Sequence, residues 1–237
     1  MTKLDRRTWL AGAGALILAP ATARTAEPEG LYDYLFLDLD DAPQGSTPAR
    51  AYAEAVRARS SAITSAGGQV LGLFTPQIGW VARQAALIVR WGPDAKSRDV
   101  LVAGLMRDKT VKFAQRGRLS PTSRPLAADT PKPGGVHVHR WFVVKVADVP
   151  EFLTLSTEGW RDFETGFDTH IFGLFTAERS QLDRRDGVTR LLLITRYRDH
   201  GVWEASRAPS AATQAAFGRR AAITRDTWNA STLFVPI

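Results

Sequence analysis

The sequence predicts an α+β protein made of two tandem copies of one βαββαβ unit. Three observations carry this: a repeated four-residue word, a repeated junction of strand and helix start, and a repeated Arg–aromatic strand ending. The word Gly72-Leu73-Phe74-Thr75 returns as Gly173-Leu174-Phe175-Thr176. Upstream, Tyr34-Leu35-Phe36-Leu37-Asp38-Leu39 matches Trp141-Phe142-Val143-Val144-Lys145-Val146 in type, and the apolar and aromatic content of both reads as a strand. An acid and then a proline follow each, Asp41 with Pro43 and Asp148 with Pro150. That pairing marks a helix start, where proline's missing N–H costs nothing. In the first copy Gly45 delays the start, and Thr47-Pro48 is the better cap.

Helical spacing comes next. Ala49, Tyr52, Ala53, Val56 and Ile63 fall near one face in the first copy, as do Phe152, Leu155, Trp160 and Phe163 in the second. Gly67-Gly68 ends the first helix. The strands carrying the shared word run over 69–75 and 170–176. A third strand aligns Arg83 to Trp91 with Thr189 to Tyr197, each closing on Arg and an aromatic. A second helix then spans Ala95 to about Met106 and Ser210 to Ala222, and closing strands lie near 123–126 and 231–236.

The order is the ferredoxin-like plan. One such sheet carries both helices on one face and leaves the other bare. A tandem copy supplies the covering sheet within one chain, giving a single α/β barrel with pseudo-twofold symmetry. The first repeat is expected over 30–128 and the second over 136–237. The proline-rich stretch from Pro121 to Pro133, with Gly134-Gly135, is the expected join.

Residues 1–23 read as an export signal. Arg6-Arg7 precede Trp9-Leu10, an apolar run from Ala11 to Ala19, and the small-residue site Ala21-Thr22-Ala23. Paired arginines before an aromatic and a leucine resemble the twin-arginine translocation signal. The expectation is passage through the twin-arginine translocase, cleavage after Ala23 and a periplasmic location.

The chain has 31 basic and 24 acidic residues in 237, a net charge of +7, and the leader accounts for part of the excess. The basic side chains are scattered rather than clustered with aromatics, which argues against a nucleic-acid partner. There is no cysteine, so disulfides, thiolate metal sites and cysteine nucleophiles are excluded. No Gly-rich phosphate loop, G-x-S-x-G elbow or H-E-x-x-H occurs.

Candidate ligand residues are few. His137 and His139 sit at strand period and share a face, where two imidazoles can hold a metal or haem, but no third ligand is evident. No metal site is therefore assigned. His170 stands where the first copy has Gln69, either as a polar residue opening a strand or as a general base. Arg90 and Arg196 are kept by both copies. On the barrel's inner face they would converge on an anion, and on the helix face they would pair with acids. The ligand set is thus Arg90, Arg196, His170 and His139, with no catalytic residue named.

The G-L-F-T strand, the Arg90-Trp91 ending and the following Asp94-Ala95-Lys96-Ser97-Arg98 resemble the NIPSNAP family. Tyr197-Arg198-Asp199, Trp203-Glu204-Ala205-Ser206-Arg207 and Phe217-Gly218-Arg219-Arg220 are similar to its exported bacterial members. The resemblance implies the dimeric α/β-barrel fold, here completed within one chain. That superfold also houses haem-degrading and quinone-forming monooxygenases, chlorite dismutase-like proteins and dye-decolourising peroxidases, although the Gly-x-x-Asp-Gly stretch of the last is absent. NIPSNAP-like proteins bring no agreed catalytic motif. The expectation is a barrel that binds a small apolar or anionic ligand, as a monomer with pseudo-twofold symmetry or as a homodimer. The alternative is a cofactor-free monooxygenase or a haem-handling enzyme.

Overall fold

The computed structural model describes residues 30–237 other than Pro43. The export signal, with Arg6, Arg7, Ala21 and Ala23, lies outside the described residues, and so does Pro43.

The first unit runs β1 (Leu31–Leu39), α1 (Pro48–Arg57), α2 (Ser60–Ser65), β2 (Gly68–Ile78), β3 (Gln84–Trp91), α3 (Arg98–Met106) and β4 (Val111–Arg124). The second runs β5 (Val136–Lys145), α4 (Val149–Gly166), β6 (Thr169–Ala177), α5 (Gln181–Arg185), β7 (Val188–Tyr197), α6 (His200–Ala205), α7 (Ala211–Ala222) and β8 (Thr224–Val235). The βαββαβ order is present in both, with α2, α5 and α6 as short additions. The eight strands close into a barrel in the order β1-β3-β2-β8-β5-β7-β6-β4. Each unit contributes the ferredoxin-like order 4-1-3-2, and every neighbouring pair is antiparallel. The two sheets join edge to edge through β2–β8 and β4–β6, which leaves no strand unpaired along the barrel wall.

Local chemistry explains the helix starts. Thr47 caps α1 by accepting the Arg50 N–H at 3.2 Å, with Pro48 in the first turn. Asp148 occupies the corresponding place before α4 but makes no capping bond, because a short 3-10 turn over Val146–Asp148 turns the chain first. Gly67, at φ +80°, takes the left-handed position that lets the chain leave α2 and enter β2.

Two expectations need correction. The closing strands are far longer than the apolar residues suggested, because β4 and β8 alternate charged and polar residues along a wall that only one face buries. Pro121 to Arg124 therefore belong to β4, and the connection between the units is residues 125–135. The first-strand alignment is also two residues out. Tyr32 pairs with Arg90 and His137 with Arg196, so the counterpart of Tyr34 is His139 and not Trp141. A slip of two keeps every side chain on its own face, which is why residue type alone did not reveal it.

The repeated word marks a shared irregularity. Register shifts between Val70 and Gly72 in β2, and between Ile171 and Gly173 in β6, place one bulge at the same point in each unit.

Alternation along the strands divides the core into three layers. Outward residues such as Leu35, Leu37, Leu87 and Trp91 pack under α1 and α3. Val138, Phe142, Leu191 and Leu193 pack under α4 and α7. Inward residues, including Tyr32, Tyr34, Phe74, Ile88, Phe172, Phe175 and Ile194, fill the barrel. Its two ends are covered. At one end Trp80, from the turn between β2 and β3, packs on Phe36 and His139. At the other, the inward-facing Arg90 and His137 bond the carbonyls of Ala127 and Lys132 in the connecting segment.

Candidate functional site

Arg90 and Arg196 share the inward face with Ile88 and Ile194, and they end strands that run in the same direction around the barrel. Both therefore reach the same barrel end, from opposite walls. Each already has partners. The Arg90 guanidinium donates to the Ala127 carbonyl and to Gln69 Oε1. Arg196 Nη1 donates to Asp168 Oδ1 at 2.6 Å, while its Nε is buried without a partner. His170 lies opposite Arg196 on β6, with Nδ1 3.6 Å from Glu164 Oε1. Burial pushes the Glu164 carboxyl up, but bonds from His170, the Ile171 N–H and Arg124 outweigh it and hold the group down at about 2. Arg196 and His170 are thus neighbours, whereas Arg90 stands apart with Tyr32 and Gln69.

His139 lies deeper. It is 1% exposed, its Nδ1 is 2.9 Å from the Tyr34 hydroxyl, and the rings of Phe74 and Trp80 stand 4.6 and 5.5 Å away. Among the described residues Tyr34 has no other acceptor, so its hydroxyl donates to Nδ1, and this assigns the imidazole proton to Nε2. That Nε2 has no partner. Burial, with a smaller push from His137, lowers the pKa of His139 to about 3. His137 falls to about 4, chiefly through burial, against the raising effect of its bond to the Lys132 carbonyl. Both imidazoles are neutral at neutral pH. A neutral donor boxed by aromatic rings is a poor proton acceptor and has no open space beside it. Among the described residues no third carboxylate or imidazole joins the pair to make a metal site.

Beside Arg90, Gln69 and Ala127 a pocket of about 580 Å³ opens at the barrel end, and further space lies outside the sheet. A groove of about 550 Å³ runs between the outward face of β5, β7 and β8 and the helices α4, α6 and α7. Four rings wall it: Phe163 from α4, Tyr197 from β7, Trp203 from α6 and Phe217 from α7. Phe163 meets Phe217 at 5.6 Å and Tyr197 at 6.3 Å, and Tyr197 meets Trp203 at 6.3 Å. Burial raises the Tyr197 hydroxyl's pKa, so it stays protonated as a donor. Arg140 enters from β5, where it interrupts the apolar outward row of Val138 and Phe142. Arg220 stands behind Phe217, 5% exposed, with its guanidinium carbon 4.4 Å from that ring centre and 5.1 Å from that of Phe142.

Neither arginine belongs to the predicted set. The signals were one charge in the apolar row Val138–Phe142 and an arginine three residues after Phe217 on the apolar face of α7. Neither is distinguishable, on spacing alone, from a surface charge.

No protein-family model matches the chain, and no curated protein matches it. Solved structures do. A proposed monooxygenase from Lactobacillus acidophilus is similar at TM-score 0.58 and 12% identity, over 87% of this chain and 94% of that one. An anthrone oxidase-like protein is similar at TM-score 0.53 and 14% identity, over 89% and 93%. A proposed dyp-type peroxidase from Shewanella oneidensis is similar at TM-score 0.51 and 11% identity, over 89% and 94%. At such identities the likeness establishes the fold. The chain has the dimeric α/β-barrel fold, with both halves of the barrel supplied by one polypeptide.

Proposed function

We propose that this protein binds a small, largely apolar organic molecule in the groove of its second unit. The observation that carries this is the groove itself: about 550 Å³ of space, the size of a drug-like ligand, walled by four aromatic rings from four different elements. The barrel interior, expected from the sequence to hold the ligand, is filled by the chain's own aromatic and aliphatic side chains. Arg90, Arg196, His170 and His139 then serve the barrel's ends and centre, and the ligand lies on the far side of the same sheet. Replacing Trp203 with Ala should weaken binding of a bicyclic aromatic probe such as 2-naphthamide by about tenfold, because it removes one wall of the site. Calorimetry showing undiminished affinity in that variant would remove the groove from consideration.

A second reading is oxygenation of such a ligand without a cofactor. It is favoured by the monooxygenase and oxidase names of similarly folded proteins. Protein-dependent oxygen uptake with a hydroquinone substrate, above the uncatalysed rate, tests it. The groove itself offers haem no imidazole, since no histidine lines it, and His137 and His139 are enclosed in the packed barrel. In keeping with the repeated Arg–aromatic strand endings, the protein is read as a NIPSNAP-like barrel. The Arg6-Arg7 leader supports export to the periplasm, and N-terminal sequencing of periplasmic protein should begin after Ala23.

A further inference from the structure

We propose that the ligand of the groove carries an anionic head, a carboxylate, which Arg140 receives, with the buried charge of Arg220 behind Phe217 in support, while its aromatic body lies among Trp203, Phe217 and Tyr197. This rests on the groove reading above and names the chemical class that fills it.

The argument begins with unpaired charge. Among the described residues neither Arg140 nor Arg220 comes within 4.0 Å of a carboxylate, although the chain pairs many of its other arginines. The other arginine lining the groove, Arg207, is 3.0 Å from Glu204 and so is already matched, which leaves Arg140 as the unmatched cation of the lining. Arg220 is 5% exposed, and its one hydrogen bond runs from Nη1 to Ser156 Oγ at 3.2 Å. A guanidinium presents five N–H donors, and burying it with one neutral acceptor is costly and leaves its positive charge largely uncompensated behind the Phe217 wall. Cation–π contact with Phe142, Phe152 and Phe217 offsets part of that cost and directs no proton to an acceptor. Burial, aided by the repulsion of Arg140, pulls the Arg220 pKa down to about 9. Two cations hold each other at a disadvantage there, and an anion bound at Arg140 offsets that repulsion through space.

The first unit shows what these positions take when the chain fills them. Asp33 on β1 is fully buried on the outward face. It accepts from Trp91 Nε1 at 2.8 Å, from Arg98 at 2.9 and 3.1 Å, and from Arg116 at 2.6 and 3.1 Å. The ladder registers equate Asp33 with Val138, Trp91 with Tyr197, and Arg116 with Asn229. The second unit therefore keeps a ring donor in the place of Trp91 and has arginines close by, but the carboxylate of the first unit is replaced by a valine. A planar carboxylate is the acceptor for which the guanidinium fork of Arg140 is suited. A carboxylate brought by a ligand completes in the second unit what Asp33 completes in the first.

The test uses the full chain and isothermal titration calorimetry with two isosteric probes, 2-naphthoate and the neutral 2-naphthamide. The expected result is that 2-naphthoate binds at least about tenfold more tightly, the scale of one charge-assisted hydrogen bond. Arg140→Gln should abolish that preference and leave 2-naphthamide affinity within about twofold, while Arg50→Gln, on α1 of the other unit, should change neither. Arg140 is only partly buried, so its variant should fold; a shared melting temperature checks this. Equal affinity for the two probes, or a preference that survives Arg140→Gln, overturns the anionic head and leaves the groove standing if Trp203→Ala still weakens both. Affinities that Trp203→Ala does not alter, or no binding of either probe, overturn the groove and this inference together.

Discussion

Single side chains divide into those that hold the fold and those that await something. Asp33 belongs to the first kind. Five hydrogen bonds from Trp91, Arg98 and Arg116 converge on its two oxygens. Asp33→Asn takes the carboxylate from Arg98 and leaves Arg116 only the exposed Asp99, and urea denaturation should register a loss of about 3 kcal/mol. His139 and His137 act through protons. Their pKa values of about 3 and 4 lie below the ordinary 6.5, so between those values the unfolded chain binds protons that the folded chain refuses. Stability is then greatest above pH 6.5 and falls as the pH drops below it. Glu164, held at about 2, withdraws its own contribution only as the pH falls below 4.5. His139→Leu should flatten the pH dependence of the urea midpoint between about 6.5 and 4.5 by roughly one proton. An unchanged slope would show that His139 is already charged in the folded protein. Of these residues the sequence exposed only the type. Paired histidines at strand period announced a common face, but which side of the sheet that face met was decided by barrel closure.

Among elements, the bulged strands are the most exacting. Gly72 has φ +151°, and a Cβ there would come within 2.0 Å of the Phe234 ring from β8. Gly72→Ala thus strains the backbone and wedges apart one of the two seams between the units. A loss of about 2–4 kcal/mol is expected. Gly104, in the middle of α3, has open space where a Cβ would go, so Gly104→Ala should instead gain about 0.5–1 kcal/mol. Melting temperatures moving in opposite directions for these two alanines would verify both accounts. The shared word was a legible sign of this device, since Gly-Leu-Phe-Thr sits at the bulge in β2 and again in β6. The closing strands were less legible. Val111 to Arg124 holds Lys112, Arg116 and Arg118 among few apolar residues, and such a strand is specified by the neighbours it joins rather than by its own composition. The short helices α5 and α6 were missed for a related reason, whereas α2, with Ile63, continues the helix expected up to Gly67: α5, for instance, is five residues fixed by a capping box between Ser180 and Asp183.

Across the whole molecule, each unit needs the other twice, once to cover its inward face and once to satisfy the outer edges of β2, β4, β6 and β8. Residues 30–128 expressed alone should not persist as a monomer. Size-exclusion chromatography of that fragment should find a dimer or larger species. The duplicated βαββαβ order pointed to that dependence, because helices cover one face of each sheet and the other, here rich in apolar residues such as Phe74, Ile88, Phe175 and Ile194, needs a partner. The groove was not readable, because its lining comes from four elements whose mutual placement no local pattern encodes. Had the two halves remained identical chains, whatever one outer face received the other would receive as well, and occupancy would come in pairs. Joining them in one polypeptide allowed Asp33 to close one face from within while Val138 left its counterpart open, so a titration of this protein should reach its end point at one equivalent per chain.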